Sequence, residues 1–551
     1  MSGARFKIAG GRAEKSADTS SRSSKAVLQG ARSNELFVAV VGPAGSGASA
    51  AANALEGFLQ QESVEDDHYE VIVVKASELI REWAEANNRS VPPIGRKSLE
   101  GIRQMQDNGD AMRLVTGDNA AVARAVIGRI SERRAAASGL AKGHFDGKPR
   151  AYIIDSLRHP AEAHLLRRVY QDAFTLIGVV CDPAQREIRL KTNLFSGPDR
   201  GLPATAKAVA DFVNRDADAP EKHGQHVTDT FHEADFFVDN SRDASQDTRN
   251  TAMNDPLRRL VDLLTSRQVV RPTAAETAMH HAHSAQLRSA CMSRQVGAAL
   301  VDPEGNVVAT GTNEVPRAGG GVYGETFEEE PGGDQRCIFR ETRYCSSNRE
   351  QNDIIEALID AFPSLVDGRE RSAVAAELRR TRIGGLIEFS RAVHAEMDAL
   401  LSAARTGVSP QGCRLFVSTF PCHYCARHIV TAGIDEVQYI EPYPKSRALA
   451  LHCDSITTDS TGWVPPSKPK DEKERTKGGD TTEPNRKVLF RPFVGVAPRL
   501  YARVFLKDRD YKDKVTGEYA LGASDWGGPS DLFKVRYADL EMQLDLGKPT
   551  T

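Results

Sequence analysis

The stretch Arg414-Leu-Phe-Val-Ser-Thr-Phe-Pro421-Cys422-His423-Tyr424-Cys425 passes from a short apolar run into a proline and a Cys-x-x-Cys pair. The apolar run predicts a buried strand ending near Ser418. Pro421 suits the first position of a helix whose first turn carries Cys422 and Cys425 on one face. Both sulfurs then stand near the positive end of the helix dipole, which favours thiolates over thiols. Upstream, Val393-His394-Ala395-Glu396 opens a second segment with helical apolar spacing that runs to Ala404, with His394 at its start. Two helix N-termini are thereby expected to face one point.

The residue types say what that point holds. One imidazole and two thiolates suit Zn²⁺, and three protein ligands leave a fourth tetrahedral position open, as a catalytic site requires. A cation so held lowers the pKa of water in that position from about 15.7 to roughly 7. Glu396, two residues beyond His394, can reach that water without coordinating the metal, which makes it the expected proton shuttle. A Cys-x-x-Cys pair is also half of a closed structural site, or a redox pair. Cys413, His423, His428 and Cys453 lie near enough in sequence to supply a fourth ligand. The preceding proline, the H-x-E upstream and the strand-then-helix setting favour the open site.

The chain has 551 residues, too many for one ordinary domain, and its 72 basic and 75 acidic side chains leave a net charge of −3. That near balance gives no global signal for polyanion binding. No apolar run approaches the length needed to span a bilayer, and the N-terminus has no apolar leader core. Eight cysteines in such a length fit a reducing compartment, so the expectation is a cytoplasmic protein without membrane contact. Residues 1–34, rich in Ser, Ala, Gly, Arg and Lys, are expected to form a disordered tail, and 465–487 a mobile polar loop.

In the N-terminal half, Leu36-Phe-Val-Ala-Val-Val41 leads into Gly42-Pro-Ala-Gly45-Ser-Gly47-Ala-Ser49 and then an Ala-rich amphipathic segment. Strand, Gly-rich turn and helix are the context of a phosphate-binding loop, with Gly42, Gly45, Gly47 and Ser49 as its nucleotide-binding residues. Ala48 stands where that motif has lysine, so phosphoryl transfer loses its point charge, while nucleotide binding through backbone N–H groups and a merely structural relic both stay open. Further strands at 69–74, 151–154 and 176–181 alternate with helical patterns and predict a parallel α/β sheet. Asp155 ends one of them where a carboxylate would hold magnesium. With Cys181-Asp-Pro-Ala-Gln-Arg-Glu-Ile-Arg189 and Glu233-Ala-Asp-Phe-Phe-Val-Asp-Asn240, this half resembles the deoxynucleoside monophosphate kinase and dephospho-coenzyme A kinase group.

In the C-terminal half, a helix over 276–290, strands over 295–301 and 306–312 joined by Asp302-Pro-Glu-Gly305, and strands over 414–418 and 436–440 predict a three-layer α/β/α domain. The H-x-E and P-C-x-x-C segments are the signature of zinc deaminases. Together with Cys291-x-x-Arg294-Gln-Val-Gly-Ala298 and Thr310-Gly-Thr-Asn313-Glu-Val-Pro316 they resemble deoxycytidylate deaminases, which assigns Asn313 to the nucleotide. Fusion of such a half (256–551) to a kinase-like half (35–255), with Tyr439-Ile-Glu-Pro-Tyr-Pro-Lys-Ser446 and Phe493-Val-Gly-Val-Ala-Pro498, resembles the bacterial anti-phage dCTP deaminases. The resemblance implies deamination of dCTP and dCMP during infection, a homo-oligomer, and in some members inhibition by a small RNA. Arg294, Arg405, Lys445 and Arg447 are the basic residues nearest the motifs, at least one of which is expected to meet substrate phosphates and any of which could instead be a solvated surface charge. Cys291, Cys337 and Cys345 are candidates for a second zinc, or isolated thiols.

Two other functions fit parts of the same sequence. An RNA or single-stranded DNA deaminase would keep the zinc chemistry but needs a basic groove and stacking aromatics. Aromatics are only 6% of the chain, which disfavours it. A nucleotide- or RNA-sensing regulator with a scaffold deaminase fold would not need Glu396.

Overall fold

The computed structural model describes residues 32–521 apart from 65–66, 96, 220, 242–250, 328–331, 444, 470–484, 508 and 520, together with 537, 541 and 544. Residues 1–31 of the expected tail and 470–484 of the expected loop lie outside this range. Ser33, placed in the tail by composition, is buried. The flanks of the loop are pinned, since Ser467 donates from both N–H and hydroxyl to Asp435. The fold is mixed α/β with two six-stranded sheets.

The first sheet is built from β1 (Glu35–Val41), β4 (Glu70–Lys75), β5 (Arg150–Asp155), β6 (Phe174–Val180), β7 (Phe236–Asp239) and β14 (Gly495–Val496), and a hairpin of β2 (Ser63–Val64) and β3 (Asp67–His68) precedes β4. Its order is β14-β7-β6-β1-β5-β4. Every residue of β1 and β6 is buried, as expected of parallel strands covered on both faces. β1 pairs in parallel with β5 on one side and β6 on the other. The chain order therefore reverses at β1, and its carboxyl end is the switch point at which open α/β sheets bind ligands. Gly42–Ser49 leaves β1 at that point and enters the helix Ala48–Leu59.

The second sheet holds β8 (Gly297–Val301), β9 (Val307–Thr312), β10 (Arg414–Thr419), β11 (Glu436–Glu441), β12 (Ile456–Thr457) and β13 (Val488–Pro492), in the order β12-β13-β11-β10-β8-β9. Alternation sorts its side chains. Ala298, Leu300, Leu415 and Val417 pack under the helices Ala395–Arg405 and His423–Thr431. Ala299, Val301 and Phe416 point the other way, onto the helix Ala274–Gln286.

Close approach of the His394-bearing helix depends on one glycine. A Cβ on Gly311 in β9 would stand 2.2 Å from the Ala395 carbonyl oxygen and 2.3 Å from the Ala399 nitrogen. Gly311→Ala is therefore expected to force that helix off the sheet at a cost of about 1–3 kcal/mol. A lower urea midpoint together with lost zinc would register it, and an unchanged midpoint would refute it.

Two expectations about chain organisation differ from the structure. The 255/256 boundary divides the helix Thr251–Thr265, whose Met253, Leu257 and Leu260 pack into the core of the first sheet. Residues 495–505, assigned to the zinc half, return to the first sheet: β14 pairs antiparallel with β7 and the helix Pro498–Phe505 follows it. The Val496 N–H donates to the buried Glu276 carboxylate, which Arg259 also engages, so the strand is fixed by polar partners as well as by packing. One buried cluster runs from Phe37 and Tyr152 of the first sheet to Phe416 of the second and Ala282 of the helix Ala274–Gln286 that packs on it.

Candidate active site

Both metal-binding helices begin where their ligands sit. His394 is the N-cap of Ala395–Arg405 and Cys422 the N-cap of His423–Thr431, with Cys425 in the first turn of the latter. Pro421 thus lies one residue before the cap, not at the first helical position. The difference has a local cause: the Cys422 sulfur accepts the Cys425 N–H at 3.5 Å and takes the capping role itself.

His394 Nδ1 lies 3.3 Å from the Cys422 sulfur and 3.4 Å from that of Cys425, and the three ligand atoms lie within 4.8 Å of one another. In a tetrahedral zinc site with ordinary bond lengths, sulfur and nitrogen stand roughly 3.6 Å apart. The donor set therefore fits zinc with Nδ1 as the imidazole ligand. Among the described residues it is the one cluster of three or more such side chains with this geometry. Cys413, His423 and His428 are not part of it, and neither Cys291, Cys337 nor Cys345 joins a second one. Hydrogen bonding with Cys425 first, and with His394 as well, holds Cys422 down to about 4 against the effect of burial. The bond to Cys422 lifts His394 to about 9.

Glu396 follows on the same helix and is 4% exposed. Burial first, and the Cys422 charge second, push its carboxyl up to about 7, with His394 opposing. A carboxyl in that range both gives and takes protons at neutral pH.

The expected substrate residues separate into groups. Arg294 lies at the rim: its guanidinium stands 6.0 Å from the Tyr443 ring, and Tyr443 feels the charges of both Arg294 and Cys422. Lys445 is exposed beside Ser446, whose hydroxyl donates to the Pro421 carbonyl. Asn313 is buried and its amide is engaged by backbone, accepting from Val296 N–H and donating to the Arg294 carbonyl. Arg405 is not brought to the metal. It ends the eleven-residue helix that His394 caps, about 16 Å along the axis, and lines a separate groove of about 460 Å³ with Pro316, Gly320 and Leu401. Its packing against Gly320 explains its place.

Thr419, Glu441, Tyr443 and His232 also stand around Arg294 at the rim. Glu441 and Tyr443 belong to a segment quoted above, whereas nothing in the sequence near His232 signals its position.

At the end of β1, Gly45 and Gly47 adopt positive φ of 82° and 88°. Ser49 donates its hydroxyl to Asp155 at 3.1 Å. The loop is also held from within. The Ala44 N–H donates to the buried Asp216 carboxylate at 2.7 Å, and Arg158 donates to Asp216 and to the Gly42 carbonyl. Asn240 and Arg189 both donate to the Ser46 carbonyl.

The zinc geometry and the sheet around it define a class, a deaminase-like zinc-binding domain. Residues 272–441 match the cytidine and deoxycytidylate deaminase zinc-binding region, so the C-terminal region carries a deoxycytidylate deaminase-like domain. The deoxycytidylate deaminase of Enterobacteria phage T4 is 29% identical over 175 residues, 31% of this chain and 80% of that protein. Among solved structures, the dCMP deaminase of cyanophage S-TIM5 in complex with dCMP and dUMP aligns at 21% identity over 34% of this chain and 93% of its own, with a TM-score of 0.20. A shikimate kinase from Acinetobacter baumannii aligns at 12% identity over 44% of this chain and 99% of its own, with a TM-score of 0.23. Both scores are too low to bear on the fold. No helix among the described residues is long and apolar enough to cross a membrane.

Proposed function

We propose that the chain is a zinc-dependent hydrolytic deaminase of deoxycytidine nucleotides, converting dCMP, dCTP or both to the uracil nucleotide and ammonia. The observation that carries this is a three-ligand site with the buried Glu396 carboxyl beside it. Bound zinc supplies hydrolytic chemistry, activating water for addition at carbon 4 of cytosine. Glu396 would take one proton from that water and pass it to ring nitrogen 3, then take the water's second proton and hand it to the departing amino group, as its elevated pKa suits. Arg294 and Lys445 at the rim are the cations for substrate phosphate. Buried walls around the cysteines keep the proton transfers away from bulk solvent.

In this reading the zinc half removes dCTP during phage infection, and the half around residues 35–255 acts as a nucleotide-binding element through Gly42, Gly45, Gly47 and Ser49. The Ser49–Asp155 pair and the switch-point position of the loop support binding, and Ala48 in place of lysine argues against phosphoryl transfer. A cytoplasmic homo-oligomer restrained by a small RNA belongs to the same reading and rests on the family resemblance.

Ammonia release by the purified protein from dCMP, dCTP and a cytosine-bearing oligonucleotide, before and after zinc chelation, tests it. Release from the mononucleotides that stops on chelation and returns with zinc is expected. Release from the oligonucleotide alone would replace this reading with a polynucleotide deaminase.

A further inference from the structure

We propose that Glu441 is a positioning residue for substrate phosphate, holding Arg294 at the mouth of the zinc site, and that the N-terminal half completes the hold through His232. The inference rests on the reading of the site as a deaminase of cytosine nucleotides and adds the residues that set its phosphate recognition.

Glu441 ends β11, next to the strand that leads into the cysteines. Its backbone carbonyl accepts the Phe420 N–H at 2.7 Å, which fixes the residue one step from Pro421. Its Oε2 accepts from the Thr419 hydroxyl at 2.9 Å and from Arg294 Nη1 at 3.1 Å. The carboxylate is thus oriented by Thr419 and in turn orients the arginine. Only one of the five guanidinium N–H donors is spent in this bond, and the side chain of Arg294 is 55% exposed. The planar fork keeps donors for a phosphate, which arginine binds in bidentate fashion.

The other carboxylate oxygen faces a different part of the molecule. His232 Nδ1 lies 3.8 Å from Glu441 Oε1. His232 ends the helix Val227–His232, which leads into β7 of the first sheet. Its imidazole is largely buried, and its Nε2 has no hydrogen-bond partner among the described residues. A buried imidazole with one unsatisfied nitrogen is a poor stabilising device. Its placement against Glu441 makes sense if it closes the side of the carboxylate that Arg294 and Thr419 leave open. Asp229 and Glu233 flank His232 on its own side of the contact, with Glu441 and Arg294 opposite.

The test compares the zinc-loaded full-length protein with Glu441→Gln, Arg294→Gln, the double variant and His232→Ala, reading kcat, KM for dCMP and zinc content. Glu441→Gln is expected to raise KM about tenfold with little loss of kcat or zinc, because a phosphate contact serves ground and transition state alike. Arg294→Gln should give the same split, and the double variant should be no worse than Arg294→Gln alone, since Glu441 acts through it. His232→Ala should raise KM in the same direction by a smaller factor.

A fall in kcat and zinc content with Glu441→Gln would make Glu441 merely structural and overturn the proposal. So would additive effects in the double variant, or an unchanged KM. Failure of the wild-type protein to deaminate dCMP or dCTP would instead sink the underlying functional reading. The two failures are therefore distinguishable.

Discussion

Glutamine in place of Glu396 is expected to lower the rate of deamination by roughly 10²–10⁴, the range that a positioned general acid–base group contributes. Glutamine has the same shape but neither gives nor accepts the proton at neutral pH. Glu396 is 4% exposed, so bulk water is poorly placed to act in its stead. Because Glu396 is not a ligand, the variant should keep its zinc. Cys425→Ser supplies the contrast, losing metal and activity together, since a buried serine hydroxyl is a far weaker ligand than a thiolate. Initial rates and metal content of both variants check this. A Glu396→Gln protein with wild-type turnover would remove the proton shuttle from the mechanism.

The second large effect is on stability and lies far from the zinc. Arg134 is buried between two carboxylates, donating to Glu35 at 2.7 and 2.8 Å and to Glu541 at 2.5 and 3.1 Å. Tyr537 and Tyr152 donate to Glu35, and Tyr170 donates to Glu541. Phe37 stacks on Tyr170 at 3.7 Å between ring centres, closing the network off from solvent. Arg134→Met leaves two carboxylates facing one another without a cation. Breaking a buried pair in this way costs on the order of 3–5 kcal/mol, against a total stability of roughly 5–15 kcal/mol for a folded domain. Urea unfolding should show a large fall in midpoint, and a shift within about 0.5 kcal/mol, as at an ordinary surface position, would contradict the network's role. The same network ties Tyr537 to Glu35 of β1 directly and Glu541 to it through Arg134.

Local patterns carried much of this in the sequence. The continuous apolar run in Arg414–Ser418 marks the strand, and the H-x-E and Cys-x-x-Cys spacings mark the helix starts and the ligands, because such local patterns place side chains without reference to distant parts of the chain. Three kinds of information were missing from it. Cap identity depended on a competition between Pro421 and the Cys422 sulfur, which spacing alone does not decide. Arg405 is near the zinc motifs in sequence, but a helix of that length carries it away from the metal site. The return of Gly495–Val496 to the first sheet, and the meeting of His232 with Glu441, are tertiary events between segments that share no periodic signal.

His394, Cys422 and Cys425 are expected to hold zinc with the fourth position open. Zinc-edge X-ray absorption on the purified protein tests it most directly. The expected result is two sulfurs at roughly 2.3 Å and two lighter atoms near 2.0–2.1 Å, one of the latter from the imidazole and the other altered when dCMP is added. A third sulfur, or a coordination shell that dCMP leaves untouched in a protein saturated with it, would mean that the metal is sealed and that the deaminase account is wrong.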